Sequence, residues 1–240
     1  MKITDNFIII NNKKIFFKLK KNVFEPNLTS KLLIESVTKN IKKKENLSLV
    51  DLGCGSGIVG LSVAKILKIK KKLFFSDLSK EAVSNTEENF TIFKTKGTIK
   101  QGSLFDPWSD YRFDIIINDI SAISAEVSNI SPWFKKIPCK SGRDGTDLSI
   151  KFLKDLPNHI KKNTKIFFPV LSLSNSQKII DFAKKKFKLV KCVNEIKWPL
   201  PETMKNKMKK LQKLKKSKLI NFQIISGKII CTTSIFMIKV

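Results

Sequence analysis

The chain has 240 residues, 42% of them hydrophobic, enough to bury one sizeable core with a small appendage. It contains no run of about 18 apolar residues, which excludes a membrane-spanning helix, and its first residues lack the long apolar core and small-residue cleavage site of a secretory signal. Its net charge is +27. A positive surface of that size attracts polyanions such as ribosomal RNA. Against this, Arg112 and Arg143 are the only arginines, and arginine is the residue expected where phosphates are gripped bidentately. Lysine, asparagine, isoleucine and phenylalanine all have A/T-rich codons, so codon drift is the competing explanation. The four cysteines (Cys54, Cys139, Cys192, Cys231) form no C-x-x-C pair; reduced thiols, a cytoplasmic setting and no metal site are expected.

Two β-prone runs, 7–10 and 14–19, flank Asn11-Asn12 and predict a hairpin. Asn27-Leu28-Thr29-Ser30 opens a helix with Leu32, Leu33, Ile34 and Val37 on its buried side, and a charged connector follows at 42–46. From Leu47 the pattern alternates: strand 47–52, helix 57–68, strand 72–76, helix 79–93, strands 97–101 and 113–118. A helix around 147–162, strand 165–170, helix 174–186 and strand 187–196 come next. Strands separated by helix-length spacers predict βαβ units and a mostly parallel sheet. Lys205–Lys218 holds eight lysines with only Met208, Leu211 and Leu214 apolar. It reads as a solvated helix with a narrow buried stripe, or as a basic arm that touches RNA.

The most informative stretch is Leu49-Val50-Asp51-Leu52-Gly53-Cys54-Gly55-Ser56-Gly57, an apolar strand running into an acid and three alternating glycines. Such a turn exposes bare backbone to a ligand. A carboxylate at its mouth, Asp51, suits a cation and opposes a pyrophosphate, which fits the ammonium and sulfonium of S-adenosylmethionine. Gly55, Gly57 and Gly60 also match a dinucleotide fingerprint with Asp77 at the ribose spacing, and an empty structural turn is a third reading. Asp77 ends its strand where a ribose would lie, with Leu78 beside it, although it is also placed to cap the next helix. Ser103 and Leu104, with Phe105, follow the third strand and would flank an adenine. Residues 220–225 and 228–238 around Ser226-Gly227 read as a second hairpin. The antiparallel strand it adds to a parallel sheet marks a Rossmann-like class I methyltransferase fold of seven strands, and argues against an ordinary dinucleotide fold.

These residues resemble the small-domain methyltransferases, above all those that methylate a glutamine amide in release factors and ribosomal proteins. The resemblance spans roughly residues 20–195. It rests on Val23-Phe24-Glu25-Pro26-Asn27-Leu28-Thr29, Asp51–Gly57, Asp77, Gly102-Ser103-Leu104-Phe105 and Gly142-Arg143-Asp144-Gly145-Thr146-Asp147. It implies S-adenosyl-L-methionine as cofactor, held by Asp51, Gly53, Gly55, Gly57, Asp77, Leu78, Ser103, Leu104 and Asn118. It implies catalysis at Asn118 and Asp119, with Phe24, Pro26, Ile120 and Ser121 against the substrate. Where the family has Asn-Pro-Pro-Tyr, this chain has Asp119, Ile120, Ser121 and Ala122: two hydrogen acceptors remain at Asp119 and the Ile120 carbonyl, but the stacking ring and the rigid turn are absent.

The expected protein is a cytoplasmic, monomeric S-adenosylmethionine-dependent methyltransferase with an N-terminal hairpin-and-helix extension (1–45) and a catalytic domain (46–240). Its expected acceptor is a nitrogen in a protein of the translation apparatus, with a ribosomal or transfer RNA base as the alternative. A non-catalytic RNA-binding relative of the enzyme is the different class of answer. His159, the only histidine, is expected on a surface turn without a catalytic role. Glu126, Trp133, Trp198 and Pro199–Glu202 are read as packing and turn residues in preference to a substrate groove.

Overall fold

In the computed structural model, which describes residues 6–42, 46–120, 122–134 and 139–240, the chain opens with antiparallel strands β1 (Asn6–Ile10) and β2 (Lys13–Phe17). Asn11 and Asn12 between them take φ of 48° and 61°, the left-handed backbone that a two-residue turn needs and asparagine tolerates. Helix α1 (Leu28–Asn40) is capped by Asn27, whose side chain accepts the Thr29 N–H at 2.8 Å. It buries Leu32, Leu33, Ile34 and Val37, as their spacing predicts.

The alternating core then follows: β3 (Leu49–Leu52), α2 (Ile58–Leu67), β4 (Leu73–Asp77), α3 (Lys80–Ile92), β5 (Thr98–Gln101) and β6 (Phe113–Asn118). A short helix α4 (Ala125–Ser128) precedes α5 (Asp147–Asp155), β7 (Ile160–Leu171), α6 (Ser176–Lys186) and β8 (Leu189–Pro199). The chain ends with α7 (Met208–Lys216), β9 (Gln223–Ile225) and β10 (Lys228–Lys239). The helix expected to reach residue 162 stops at Asp155, because Pro157 has no N–H to continue it; a 3-10 turn at Leu156–His159 leads straight into β7. The run 220–225 supplies only a three-residue strand, since Ile220 and Phe222 turn inward and are buried.

The sheet runs in the order β5-β4-β3-β6-β7-β10-β8, with β9 paired to β10 as an eighth strand beyond the seven expected. Pairs from β5 to β7 are parallel, and β10 is antiparallel to both β7 and β8, as the C-terminal hairpin predicts. Strand alternation sorts the core onto two faces. Leu49, Ile115, Ile117 and Phe167 pack with α1, α2 and the β1–β2 hairpin, while Val50, Ile116, Ile166 and Phe168 pack with α5 and α6. A third cluster, built by α4, α7 and the approach to β10, stands at the carboxyl end of the sheet beside β7. Chain order reverses between β3 and β6, and ligands of open α/β sheets bind outside the strand ends at such a point. Among the described residues, no helix is long and apolar enough to cross a membrane.

Gly60 marks the tightest helix–sheet contact beneath that point: a Cβ there would stand 2.6 Å from the Phe75 ring and 2.9 Å from the Asp51 side chain. Gly60→Ala is expected to destabilise the protein by about 1–3 kcal/mol through overpacking. A urea melt reads this as a lower midpoint at unchanged slope, and an unchanged midpoint contradicts the packing argument.

Candidate active site

A cleft of about 440 Å³ opens at the carboxyl ends of β3, β4 and β6, within the range of small-molecule sites. Its floor is the glycine loop, where Gly53, Gly55 and Gly57 take φ of 70°, 57° and 74°. Neighbouring elements hold this loop. Gly53 and Cys54 donate to the Ser76 carbonyl at 2.8 and 3.1 Å. From α3, Thr86 Oγ1 donates to the Gly55 carbonyl at 3.1 Å and Asn89 Nδ2 to the Ser56 carbonyl at 2.8 Å. A Cβ on Gly53 would strike Ile120 and one on Gly57 would strike Thr86, whereas one on Gly55 would meet nothing within 4 Å. Gly55 therefore presents open backbone to the cleft, and Gly57, which does not line it, serves the packing of the loop.

Asp51 corrects the sequence reading. It does not stand at the mouth of the turn or line the cleft; it is fully buried under α2, where its Oδ2 accepts the Gly60 N–H at 2.8 Å and its Oδ1 has no hydrogen-bond partner. Burial pushes its carboxyl well above the ordinary range, and the neighbouring charges of Asp119 and Asp77 push the same way, against the Gly60 bond. The reason for its place is strand alternation: Val50 and Leu52 face α5 and α6, so Asp51 faces α2.

Asp77 does line the cleft. Its Oδ2 accepts the Gly55 N–H and its Oδ1 the Ser79 N–H, both at 2.9 Å, so one carboxylate ties the glycine loop to the start of α3. Burial raises its pKa and those backbone bonds lower it, with burial the stronger. Leu78, Ser103 and Leu104 line the adjoining wall. Phe105 does not: it is buried on the other face of the sheet, stacked on the His159 ring at 4.0 Å. His159 is likewise not on a surface turn. It is buried, with Nδ1 2.9 Å from the Tyr111 carbonyl, because the ring packs with Phe105 instead of facing water.

At the end of β6, Asp119 lines the cleft and accepts the Ser30 Oγ–H at 3.1 Å. Burial pushes its carboxyl up to about 7. Asn118 turns the other way, is buried and does not line the cleft, and its Oδ1 has no partner. Ile120, Phe24 and Pro26 line the cleft; Ser121 lies outside the described residues. The glycine-rich turn after α4 braces this loop. Ser124 Oγ donates to the Arg143 carbonyl, Ala125 N to the Gly142 carbonyl, and a Cβ on Gly145 would stand 2.6 Å from the backbone of Ile123 and Ser124.

Beyond Asp119 the cleft becomes aromatic. Phe24 and Phe134 pack at 5.4 Å between ring centres, and Trp133 meets Trp198 edge-on at 5.9 Å. All four line the cleft with Pro199 and Pro201, so residues read as packing also form a wall, while Glu126 is tied to Lys210. Phe134, Ser30 and Lys140 were not foreseen as lining residues; they reach the site from segments far apart in the chain, and no local pattern marks them. Asp77, Asp119 and Lys140 are the charged lining residues among those described.

Residues 14–119 match the family described as methyltransferase small domain. The match covers 106 of the chain's 240 residues. A Methanocaldococcus jannaschii protein named as an N5-glutamine methyltransferase is 25% identical over 197 residues, covering 82% of this chain and 96% of its own length. The release factor glutamine methyltransferase of Borreliella burgdorferi is 30% identical over 155 residues, and there the match covers 62% of this chain and 53% of the relative. Among solved structures, a 16S rRNA N2-guanosine methyltransferase of T. thermophilus, in complex with AdoMet and guanosine, superimposes with a TM-score of 0.64 at 12% identity, over 98% of this chain and 50% of that one. The fold is Rossmann-like class I, and the protein is an S-adenosylmethionine-dependent methyltransferase. Its cleft fits that cofactor: open backbone at Gly55, a carboxylate at Asp77 and a surplus of acids over bases together suit a ligand with positive charge and hydroxyls.

The elevated Asp119 carboxyl has a stability consequence. Its folded-state value of about 7 lies above the ordinary 3.8, so its contribution is complete below the lower value and is lost as pH rises through about 7. The melting temperature of this methyltransferase is expected to fall from pH 5 to pH 8 more steeply than that of Asp119→Asn. Parallel profiles for the two proteins would contradict the placement of Asp119.

Proposed function

We propose that this methyltransferase transfers the methyl group of S-adenosylmethionine to a nitrogen in a component of the translation apparatus. The observation that carries the reading is the position of Asp119, a carboxylate at the carboxyl end of β6 in the same cleft as the glycine loop and Asp77. In this reading Gly53 and Gly55 receive the cofactor against bare backbone. Asp77 keeps lone pairs beyond its two backbone bonds to accept ribose hydroxyls, and Leu78, Ser103 and Leu104 border the adenine. Asp51 and Asn118 act from behind the loop, as positioning residues.

The bound cofactor supplies an electrophilic methyl group on sulfur. The chain aligns the nucleophile. Asp119 and the Ile120 carbonyl accept the two hydrogens of a planar NH2, which leaves the nitrogen lone pair directed along the axis of displacement. As the nitrogen–carbon bond forms and the sulfur–carbon bond breaks, Asp119 takes the proton that the nitrogen sheds and passes it to water. The Ser30 hydroxyl holds that carboxylate in place. Burial keeps its proton affinity high enough for the task.

The names of the two relatives support a protein acceptor carrying a glutamine-type amide. A second reading, a base in RNA, is favoured by a different observation. Ala122 provides no stacking ring, while the rings of Phe24, Trp133, Phe134 and Trp198 reach the cleft from other elements and offer flat walls to a larger acceptor.

Titration calorimetry with S-adenosylhomocysteine tests the cofactor half. Asp77→Ala is expected to weaken binding about tenfold or more, the loss of hydrogen bonds to a charged group. Gly55→Ala should weaken it as well, by placing a methyl in the open side of the loop. Tritiated methyl transfer into a ribosome-containing lysate tests the chemistry, and Asp119→Ala should lower the rate about a hundredfold. Unchanged turnover in that variant removes the assigned role.

A further inference from the structure

We infer that Asn89 is a positioning residue for the methyl donor: it ties the glycine loop to a strap, residues 18–27, so that two walls of the cleft are set as one unit. The inference rests on the methyl-transfer reading above and adds to it a residue that shapes the donor site from behind. The signal is the buried face of α3. A helix packed on a sheet ordinarily buries apolar side chains, but α3 buries Asn85, Thr86 and Asn89 beside Ala82. Asn85 and Asn89 are both fully buried. A buried amide is tolerated where its hydrogen bonds are complete, and these two serve the backbone of other segments.

Asn89 Oδ1 accepts the Lys18 N–H at 2.7 Å, and its Nδ2 donates to the Lys18 carbonyl at 2.9 Å and to the Ser56 carbonyl at 2.8 Å. Both of its N–H groups and its oxygen are thereby used. Asn85, one turn earlier, accepts the Lys20 N–H at 2.9 Å and donates to the Lys18 carbonyl at 2.8 Å; among the described residues its hydrogen bonds go to the strap alone. The ammonium groups of Lys18 and Lys20 pair with Glu88, and Lys20 Nζ also donates to Ser84 Oγ at 2.7 Å. Beyond this anchor the strap runs along the cleft, which Phe24 and Pro26 line as Gly55 and Ser56 do. It ends in α1, where Ser30 holds Asp119. Strap and loop are irregular backbone, and a single amide fixes a carbonyl of each. Neither shifts without the other, so a ligand that orders one wall orders both.

The test uses the full chain and S-adenosylhomocysteine. Asn89→Leu releases the strap from the loop; Asn85→Leu makes the same buried change one turn away and leaves that tie in place. Both should lower the urea midpoint, because each leaves buried backbone groups without partners. Calorimetry should find the ligand bound about tenfold more weakly by Asn89→Leu, and within about twofold of the parent by Asn85→Leu. Hydrogen exchange read by mass spectrometry separates positioning from stability alone. In the parent and in Asn85→Leu, the ligand should slow exchange in peptides covering 18–24 and 53–57 together. In Asn89→Leu it should slow 53–57 and leave 18–24 unchanged. If Asn89→Leu does not fold, Asn89→Asp replaces it: that side chain keeps the oxygen for the Lys18 N–H and loses both donors, and the same separation of the two peptides is expected. Ligand protection confined to 53–57 in the parent overturns the inference, as does equal weakening of the ligand by the two substitutions. A parent that binds no S-adenosylhomocysteine sinks the methyl-transfer reading itself. A parent that binds it no better than the Asn89 variant does sinks the positioning role alone.

Discussion

One buried hydrogen bond organises the donor half of this molecule. The first turn of α2 begins at Gly57, which has no side chain to cap the helix and sits in the left-handed region. Asp51, on the central strand six residues earlier, supplies the missing cap: its Oδ2 accepts the Gly60 N–H at 2.8 Å, one of the amides that a helix start leaves without an internal partner. A carboxylate there also suits the positive end of the helix. Helix and strand are locked at a fixed distance, and the chain between them must turn through Gly53, Gly55 and Gly57. The open backbone at Gly55 is a consequence of that lock.

This geometry explains why the acid and the glycines occur together. The sequence suggests a carboxylate facing a cation, and the spacing is right for the turn, but the period-two alternation of β3 carries Asp51 to the α2 face. Asp77, one strand over, faces the cleft, because it is the last residue of β4 and its carboxylate closes over the loop. The whole donor half is local in this sense. Residues 51–57, 77–79 and 102–104 each sit where a strand ends, and each strand end is visible as an apolar run stopping at a polar or glycine residue. That is why the fold, the order of elements and the loops along this side of the cleft were legible.

The acceptor half is assembled differently. Ser30 reaches Asp119 across 89 residues, Phe24 meets Phe134, and the turn at Gly142–Gly145 presses on the backbone of Ile123 and Ser124. None of these contacts has a periodic signature, so the sequence could place Trp133 and Trp198 no better than as packing residues. Phe105 and His159 fail for a related reason. A loop after a strand can send its side chains to either face of the sheet, and the stack of Phe105 on His159 and Phe152 is favoured by apolar burial on the far side.

The family match ends at Asp119, the residue where the two halves meet. Up to that point the chain builds one side of the cleft from strand ends, with rules shared by any sheet of this topology. Beyond it, α4, the β8–α7 segment and β10 build a separate hydrophobic cluster that reaches the cleft through Ile123, Trp133, Leu173 and Trp198. Changes in that cluster alter the wall facing the acceptor without disturbing Asp51, Gly60 or Asp77. Ala122 and the rings of Phe24, Phe134 and Trp133 line the cleft around Asp119, so the carboxylate stays at the rigid end of β6 while the shape of the pocket around it is set by elements that can vary independently.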